Sequence, residues 1–316
     1  MIYDCFLINS ELDLLALRLQ FLDDVVDRFV IVESPRTLSG NEKPLYFQLN
    51  KQQFAKYESK IIHLVAPVES HLNAWEYEYF QRNYIKEGLK NCADNDIVLI
   101  GDVDEIVNLK AILQKKDLAL PALVELPVYY YFINLKSAYK FAVNLLCHYS
   151  FIKDKYIGER NATYPKYVDN VIRMNEIKTG WHFSFLFGLD IPRYQEKIKS
   201  FSHQEYNTPF FLEEKRLLKC VQLGIDLFER TEIIFLFKNP QNDCRLLLPS
   251  LEALNMGQLV YRPSLSVLLR PGYFSFLIRK KTIPVIVKYI YKRPLQQLIR
   301  LTAPLRKLVK KMIGRA

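Results

Sequence analysis

Four consecutive apolar residues, Ile97-Val98-Leu99-Ile100, run straight into Gly101-Asp102-Val103-Asp104-Glu105. A strand that is apolar at every position has no face to give to water. It belongs inside a sheet covered on both sides, the usual setting of parallel strands. The neighbouring segments agree. Residues 2–8, Arg28-Phe29-Val30-Ile31-Val32 and Lys60-Ile61-Ile62-His63-Leu64-Val65 read as three more strands. Between them, residues 11–22 read as a helix with Leu12, Leu15, Leu19 and Leu22 on one stripe, and residues 74–90 as a second helix. This alternation predicts an open α/β sheet with helices on both faces. Further strands are expected within 122–156, and helices over 190–201 and 210–222.

Ligands of such sheets bind beyond the carboxyl ends of the strands. Asp102 and Asp104 stand there, and a spacing of two in extended chain turns both carboxylates to one side. Two hard oxygen donors suit Mn²⁺ or Mg²⁺ with positions left open for phosphate oxygens. Such an ion acts as a Lewis acid, neutralising charge on a departing diphosphate. The pattern alone is weak, since Asp-x-Asp arises by chance roughly once in a chain of this length. Asp94-Asn95-Asp96 has the same spacing but precedes the strand, where aspartates are ordinary turn and cap residues. Position selects Asp102 and Asp104.

Half of the 316 residues are hydrophobic, with 20 Tyr and 20 Phe, enough for one large core. The five cysteines are odd in number and far apart, which suggests neither a disulfide framework nor a zinc knuckle and favours a reducing compartment. No basic, cleavable leader precedes the first strand, so export is not expected. The net charge of +10 is unevenly spread: residues 253–316 hold 14 Lys and Arg and no acid, leaving 30 basic and 34 acidic residues in 1–252. The body is therefore not a nucleic-acid surface by composition, and no nucleic-acid partner is expected. No Walker-type loop or His-Glu-x-x-His helix is present.

Taken together, Asn9-Ser10-Glu11, Val30-Ile31-Val32-Glu33, Arg82-Asn83 and residues 97–105 look like the nucleotide-sugar half of a GT-A glycosyltransferase. More specifically, six segments in order resemble glycosyltransferase family 17 over residues 1–225. They are Glu11-Leu12-Asp13-Leu14-Leu15 with Arg18, Asp24-Val25-Val26-Asp27, Lys43-Pro44-Leu45-Tyr46-Phe47, Phe80-Gln81-Arg82-Asn83, Asp102-Val103-Asp104-Glu105-Ile106 and Gly180-Trp181-His182-Phe183-Ser184. The resemblance implies a GT-A-like sheet and an inverting transfer, typically of N-acetylglucosamine from UDP-N-acetylglucosamine to a β-linked mannose hydroxyl of a glycan, glycoprotein or glycolipid acceptor. It implies that Asn9, Glu11 and Glu33 lie near the uracil and ribose. Arg82 would lie near the diphosphate or the carboxylates, although it could instead pair with Glu78. A late histidine, His203 in preference to His182, would complete the metal shell with Asp102 and Asp104.

Inversion needs one general base for the acceptor hydroxyl. Asp190 is the first candidate, with helix N-capping as its alternative role, and Glu205 is the reserve. Trp181 could stack on a sugar or pack in the core beside Phe183 and Phe185. Two departures from the animal members of the family stand out: they carry a membrane anchor and a lumenal domain, whereas here the chain begins directly with the first strand and ends in a basic tail.

The expected organisation is a catalytic domain over 1–265 and a basic amphipathic helical tail over 266–316. In the tail, Leu298, Leu301, Leu305 and Leu308 fall on one side of a helical wheel and Arg300, Lys307, Lys310 and Lys311 on the other. Basic residues interrupt every apolar run before it reaches the roughly 18 needed to span a membrane. The tail is expected to lie in the plane of an anionic membrane on its cytoplasmic face. The rival readings are a metal-dependent nucleotidyltransferase or hydrolase, and a non-catalytic membrane-binding protein.

Overall fold

The computed structural model describes residues 1–174, 178–230, 235–237 and 244–260. Among the described residues ten strands form one mixed sheet: β1 (Ile2–Leu7), β2 (Arg28–Glu33), β3 (Ile61–Val65), β4 (Ile97–Asp102), β5 (Glu105–Val107), β6 (Ala122–Tyr130), β7 (Leu135–His148), β8 (Val171–Ile172), β9 (Gly180–Ser184) and β10 (Phe235–Phe237). Their order is β3-β2-β1-β4-β7-β6-β9-β5, with β8 beside β6 and β10 beside β7. The first four neighbours are parallel. β7 joins β4 antiparallel, and the sheet is mixed from there on. The expected α/β sheet is therefore present, in GT-A-like form, with an antiparallel extension.

The apolar run of β4 faces two ways because side chains alternate along a strand. Leu99, with Phe6 and Ile31, enters one core with the helix Leu12–Leu22. Val98 and Ile100, with Cys5, Val30 and Val32, enter a second core on the other face, closed by Ile85 and Leu89. Each fully buried aliphatic side chain of this kind contributes about 1.5–3 kcal/mol. A third cluster gathers Tyr131, Phe185, Tyr194, Leu217 and Val221 where the helices Ile191–Ser200 and Glu214–Leu223 cover the second half of the sheet.

Helix Leu12–Leu22 buries more than its predicted stripe, adding Leu14, Leu17 and Arg18, and the segment Leu248–Ala253 packs against it. The predicted helix 74–90 is helical over Ala74–Tyr84, started by an Asn73–Glu76 capping box, and tightens into a 3₁₀ turn over Ile85–Leu89. The predicted helix 210–222 breaks at Glu213, whose backbone is extended, into Pro209–Leu212 and Glu214–Leu223. Aspartates 94 and 96 serve the turn before β4: Asp96 pairs with the N-terminal amine and accepts from Ala93 N, and Asp94 pairs with Lys153. Cys5, Cys92, Cys147 and Cys220 are free thiols. Among the described residues no helix is long and apolar enough to cross a membrane. The 265/266 boundary and the amphipathic tail fall outside the described residues.

Candidate active site

A cavity of about 480 Å³ opens beyond the carboxyl ends of β1 and β4, where open α/β sheets bind their ligands. Its floor is the turn between β4 and β5. The chain leaves β4 at Asp102, turns over Val103-Asp104 and re-enters the sheet at Glu105, whose Oε2 accepts from Asp102 N at 2.8 Å. Arg18 bolts this turn from below. Its fully buried guanidinium holds Asp4 through Nη2 at 2.6 Å and Nε at 2.7 Å, and its Nη1 donates to the carbonyls of Asp102 (2.6 Å) and Glu105 (2.9 Å). Desolvating such a pair is costly and is offset only by near-complete hydrogen bonding. Gly101 is required by close approach, since a Cβ there would lie 2.3 Å from Asn144 Oδ1 and 3.0 Å from Glu105 Oε2.

The two aspartates have separate partners. Asp102 accepts from Arg160 Nη2 at 2.6 Å and from Arg82 Nη2 at 3.2 Å. Burial alone pushes its carboxyl up, but the two guanidiniums overcome this and hold it well below the usual carboxylate range. Arg160 also donates to Glu105 Oε2 at 2.7 Å, and Arg82 to Glu78 Oε1 at 2.7 Å and Gly158 O at 2.9 Å. Asp104 instead meets Lys197 Nζ at 3.2 Å and His182 Nε2 at 3.9 Å. Lys197 lies 3.3 Å from Glu11 as well. Burial opposes its charge, and Asp104 and Glu11 more than compensate, so its pKa is raised.

Asp104, Glu105 and His182 each offer one donor atom within 4.8 Å of the others. Glu105 Oε1 and His182 Nδ1 are buried without a hydrogen-bond partner. Two carboxylates and an imidazole, with an orphaned acceptor among them, suit a divalent ion such as Mn²⁺. This set differs from the expected Asp102, Asp104 and His203. Both Asp102 oxygens accept from arginines, and His203 Nδ1 is 2.7 Å from Glu205 Oε1 with its ring edge-on to Trp75 at 4.6 Å. Strand alternation explains why His182 faces Asp104: β9 sends Trp181 and Phe183 into the core and His182 to the other side.

Asn9, Glu11, Arg82, Asp102, Asp104 and His203 line the cavity. Glu33, Trp181, Asp190 and Glu205 are not among its walls. Glu33 is fully buried, accepting from Phe47 N at 2.7 Å and Gln48 N at 3.2 Å at the start of helix Tyr46–Asn50 and lying 3.2 Å from His63 Nε2. Trp181 has no exposed surface and meets Phe21 edge to face at 5.3 Å, so it packs in the core and offers no face to a sugar. Asp190 is exposed at the head of helix Ile191–Ser200 and makes no side-chain capping bond there. Glu205 lies in an adjoining cavity that shares Trp75 and Ser202 with the first.

Sequence reasoning missed Arg160, Lys197 and Lys43, all of which line the cavity. Lys43 is nearly buried, which lowers its pKa, and sits 4.0 Å from Glu33. Only its place in a family-like segment marked it. Lys197 is one of two lysines on an amphipathic helix and carried no signal at all.

The parallel strands, the cavity at their carboxyl ends and the acidic turn define a GT-A-like α/β protein with a candidate metal centre. The chain belongs to glycosyltransferase family 17, which residues 1–264 match. Three β-1,4-mannosyl-glycoprotein 4-β-N-acetylglucosaminyltransferases, from Rattus norvegicus, Homo sapiens and Mus musculus, are each 32% identical to it over 108 residues. That alignment covers 31% of this chain and 20% of each relative, so the match spans about a fifth of their length.

Proposed function

We propose that the protein is an inverting glycosyltransferase that moves N-acetylglucosamine from UDP-N-acetylglucosamine to a sugar hydroxyl of a glycan, glycoprotein or glycolipid. The observation that carries this reading is the cavity floor, where Asp102 with its two arginines lies beside the Asp104, Glu105 and His182 cluster at the carboxyl end of β4. A divalent ion held by that cluster supplies Lewis acidity toward the diphosphate. Asn9 and Glu11 face the nucleoside, and Arg82 and Arg160 present guanidinium forks, the geometry that suits phosphate oxygens. The acceptor occupies the aromatic side of the cavity, which Trp75 and Tyr206 line, with Phe228 stacked on Tyr206 at 4.1 Å. The proton acceptor is His203, with Glu205 fixing its Nδ1 and leaving Nε2 for the acceptor hydroxyl. The basic tail holds the enzyme on an anionic membrane surface at its cytoplasmic face.

Calorimetry with UDP-N-acetylglucosamine, UDP-glucose and UDP-galactose, with and without Mn²⁺, tests the donor side, and transfer to a β-mannoside tests the acceptor side. The reading requires Mn²⁺-dependent binding with a donor preference and turnover stimulated by acceptor. Donor cleavage indifferent to acceptor would instead identify a hydrolase. Truncation after Ser264 followed by flotation on anionic vesicles tests the tail: the full chain floats and the truncated chain does not.

A further inference from the structure

Lys197 joins the two parts of the cavity that carry its negative charge. Its ammonium is 3.3 Å from Glu11 Oε1 and 3.2 Å from Asp104 Oδ2, and its side chain is 17% exposed within the cavity wall. Glu11 is not free to follow it, because its other oxygen accepts from Asn9 N at 3.2 Å and Ser10 N at 3.1 Å. The ammonium itself lies 5.3 Å from the centre of the Phe185 ring and 5.8 Å from that of Phe187, which limits where the charge can go. One fixed cation is therefore shared by two fixed carboxylates. Asp104 presents its other oxygen, Oδ1, to His182.

We infer that Lys197 is a resident cation with two opposed effects: it weakens the divalent-ion site at Asp104 by repulsion and strengthens the site for a nucleoside diphosphate by attraction. This rests on the nucleotide-sugar reading above. Like charges a few ångströms apart in a half-enclosed cavity repel strongly, whereas a phosphate oxygen beside an ammonium gains a charge-assisted hydrogen bond. A metal site tempered in this way fills well only when the diphosphate arrives with its own negative charge, so ion and donor bind together.

The test separates the two effects by their sign. Mn²⁺ affinity is measured calorimetrically without nucleotide, and UDP and uridine affinities at saturating Mn²⁺, for the full-length protein and for Lys197→Gln, Lys197→Met and Lys197→Arg. Thermal unfolding identifies the neutral variants that keep the fold, and Lys197→Gln, which retains a hydrogen-bond donor, serves if the methionine variant does not. Removing the charge is expected to tighten Mn²⁺ and to weaken UDP, each about tenfold, the size of one charge-assisted hydrogen bond. Uridine affinity stays unchanged, and Lys197→Arg retains UDP affinity. A lysine with only a structural role would move both affinities in the same direction, or neither, and either result overturns the inference. Equal weakening of UDP and uridine also overturns it. If the unaltered protein binds neither Mn²⁺ nor UDP, the nucleotide-sugar reading falls and takes the inference with it; intact binding with same-signed shifts in the variants sinks the inference alone.

Discussion

The two halves of the sheet bring different chemistry to one cavity. The parallel half, β1 to β4 with its helices, supplies the anions: Glu11 after β1, Glu78 on helix Ala74–Tyr84, and Asp102 and Asp104 after β4. The mixed half supplies Arg160, His182 and Lys197, each aimed at one of those carboxylates. Arg82, Arg36 and Lys43 are the parallel half's own contribution to the cationic side. The floor is fixed within the first half by Arg18, whereas the cations depend on how the later helices dock. Loss of Arg18 should therefore cost the most stability, and changes among the charged groups that line the cavity should cost less of it.

The largest expected effect lies under the floor. Arg18→Met leaves Asp4 buried without its partner and frees the carbonyls of Asp102 and Glu105, a loss of about 3–5 kcal/mol in urea unfolding. A change below about 1 kcal/mol would mean that the pair is not desolvated and does not hold the turn. Next comes Asp104→Asn, which removes no volume but takes a charge from the candidate metal cluster. Mn²⁺ affinity should fall by about 100-fold or more, at least as much as the loss of an outer partner of a metal ligand. An unchanged Mn²⁺ isotherm would move the ion elsewhere.

Arg160→Gln probes the junction between the halves. It removes the 2.6 Å bond to Asp102 and the 2.7 Å bond to Glu105, and should lower stability near neutral pH by about 1.5–3 kcal/mol, with Arg82 still holding Asp102. The pH dependence has a definite sign. A carboxylate whose folded pKa is depressed stabilises the fold above its unfolded value, about 3.9, and loses that contribution as the pH falls through the folded value. The gap between native protein and variant should be full above about pH 4 and close as the solution is acidified. A gap that stays constant into acid would show that Arg160 contributes packing rather than charge.

The same division decides how much was legible in the sequence. In the parallel half each strand is a short, local βα step, so the apolar run of β4 predicts its burial on both faces and sets Asp102 and Asp104 at the carboxyl end, where the cavity lies. The chance decoy at Asp94 and Asp96 was separable for the same reason. In the mixed half, proximity comes from long-range pairing. The register that sets Val128 beside His182 and Glu105 opposite His182 brings together residues far apart in the chain, and no spacing encodes it. The preference for His203 over His182 takes no account of that register, although alternation within Trp181-His182-Phe183 already turns His182 away from its two core neighbours. Arg18 stood in a family-like segment, but nothing local distinguishes a helix arginine that faces water from one that bolts a turn.

The smallest expected effect concerns Asp190, the first candidate for the general base. The residue begins the helix that carries Lys197, yet it is exposed, makes no side-chain capping bond and is not among the walls of the cavity. Surface substitutions away from caps and buried partners usually change stability by less than about 0.5 kcal/mol. Asp190→Asn should therefore leave unfolding, UDP affinity and the rate of transfer nearly unchanged. Glu205→Gln makes the informative contrast, because it keeps the shape beside His203 while removing the charge from its Nδ1 partner. That change should lower turnover while donor affinity does not move. Transfer rates and donor affinities of the two variants decide between them. If Asp190→Asn silences transfer while Glu205→Gln does not, the proton leaves by way of the helix start, and the helix bearing Lys197 must approach the acceptor more closely than its position in the structure allows.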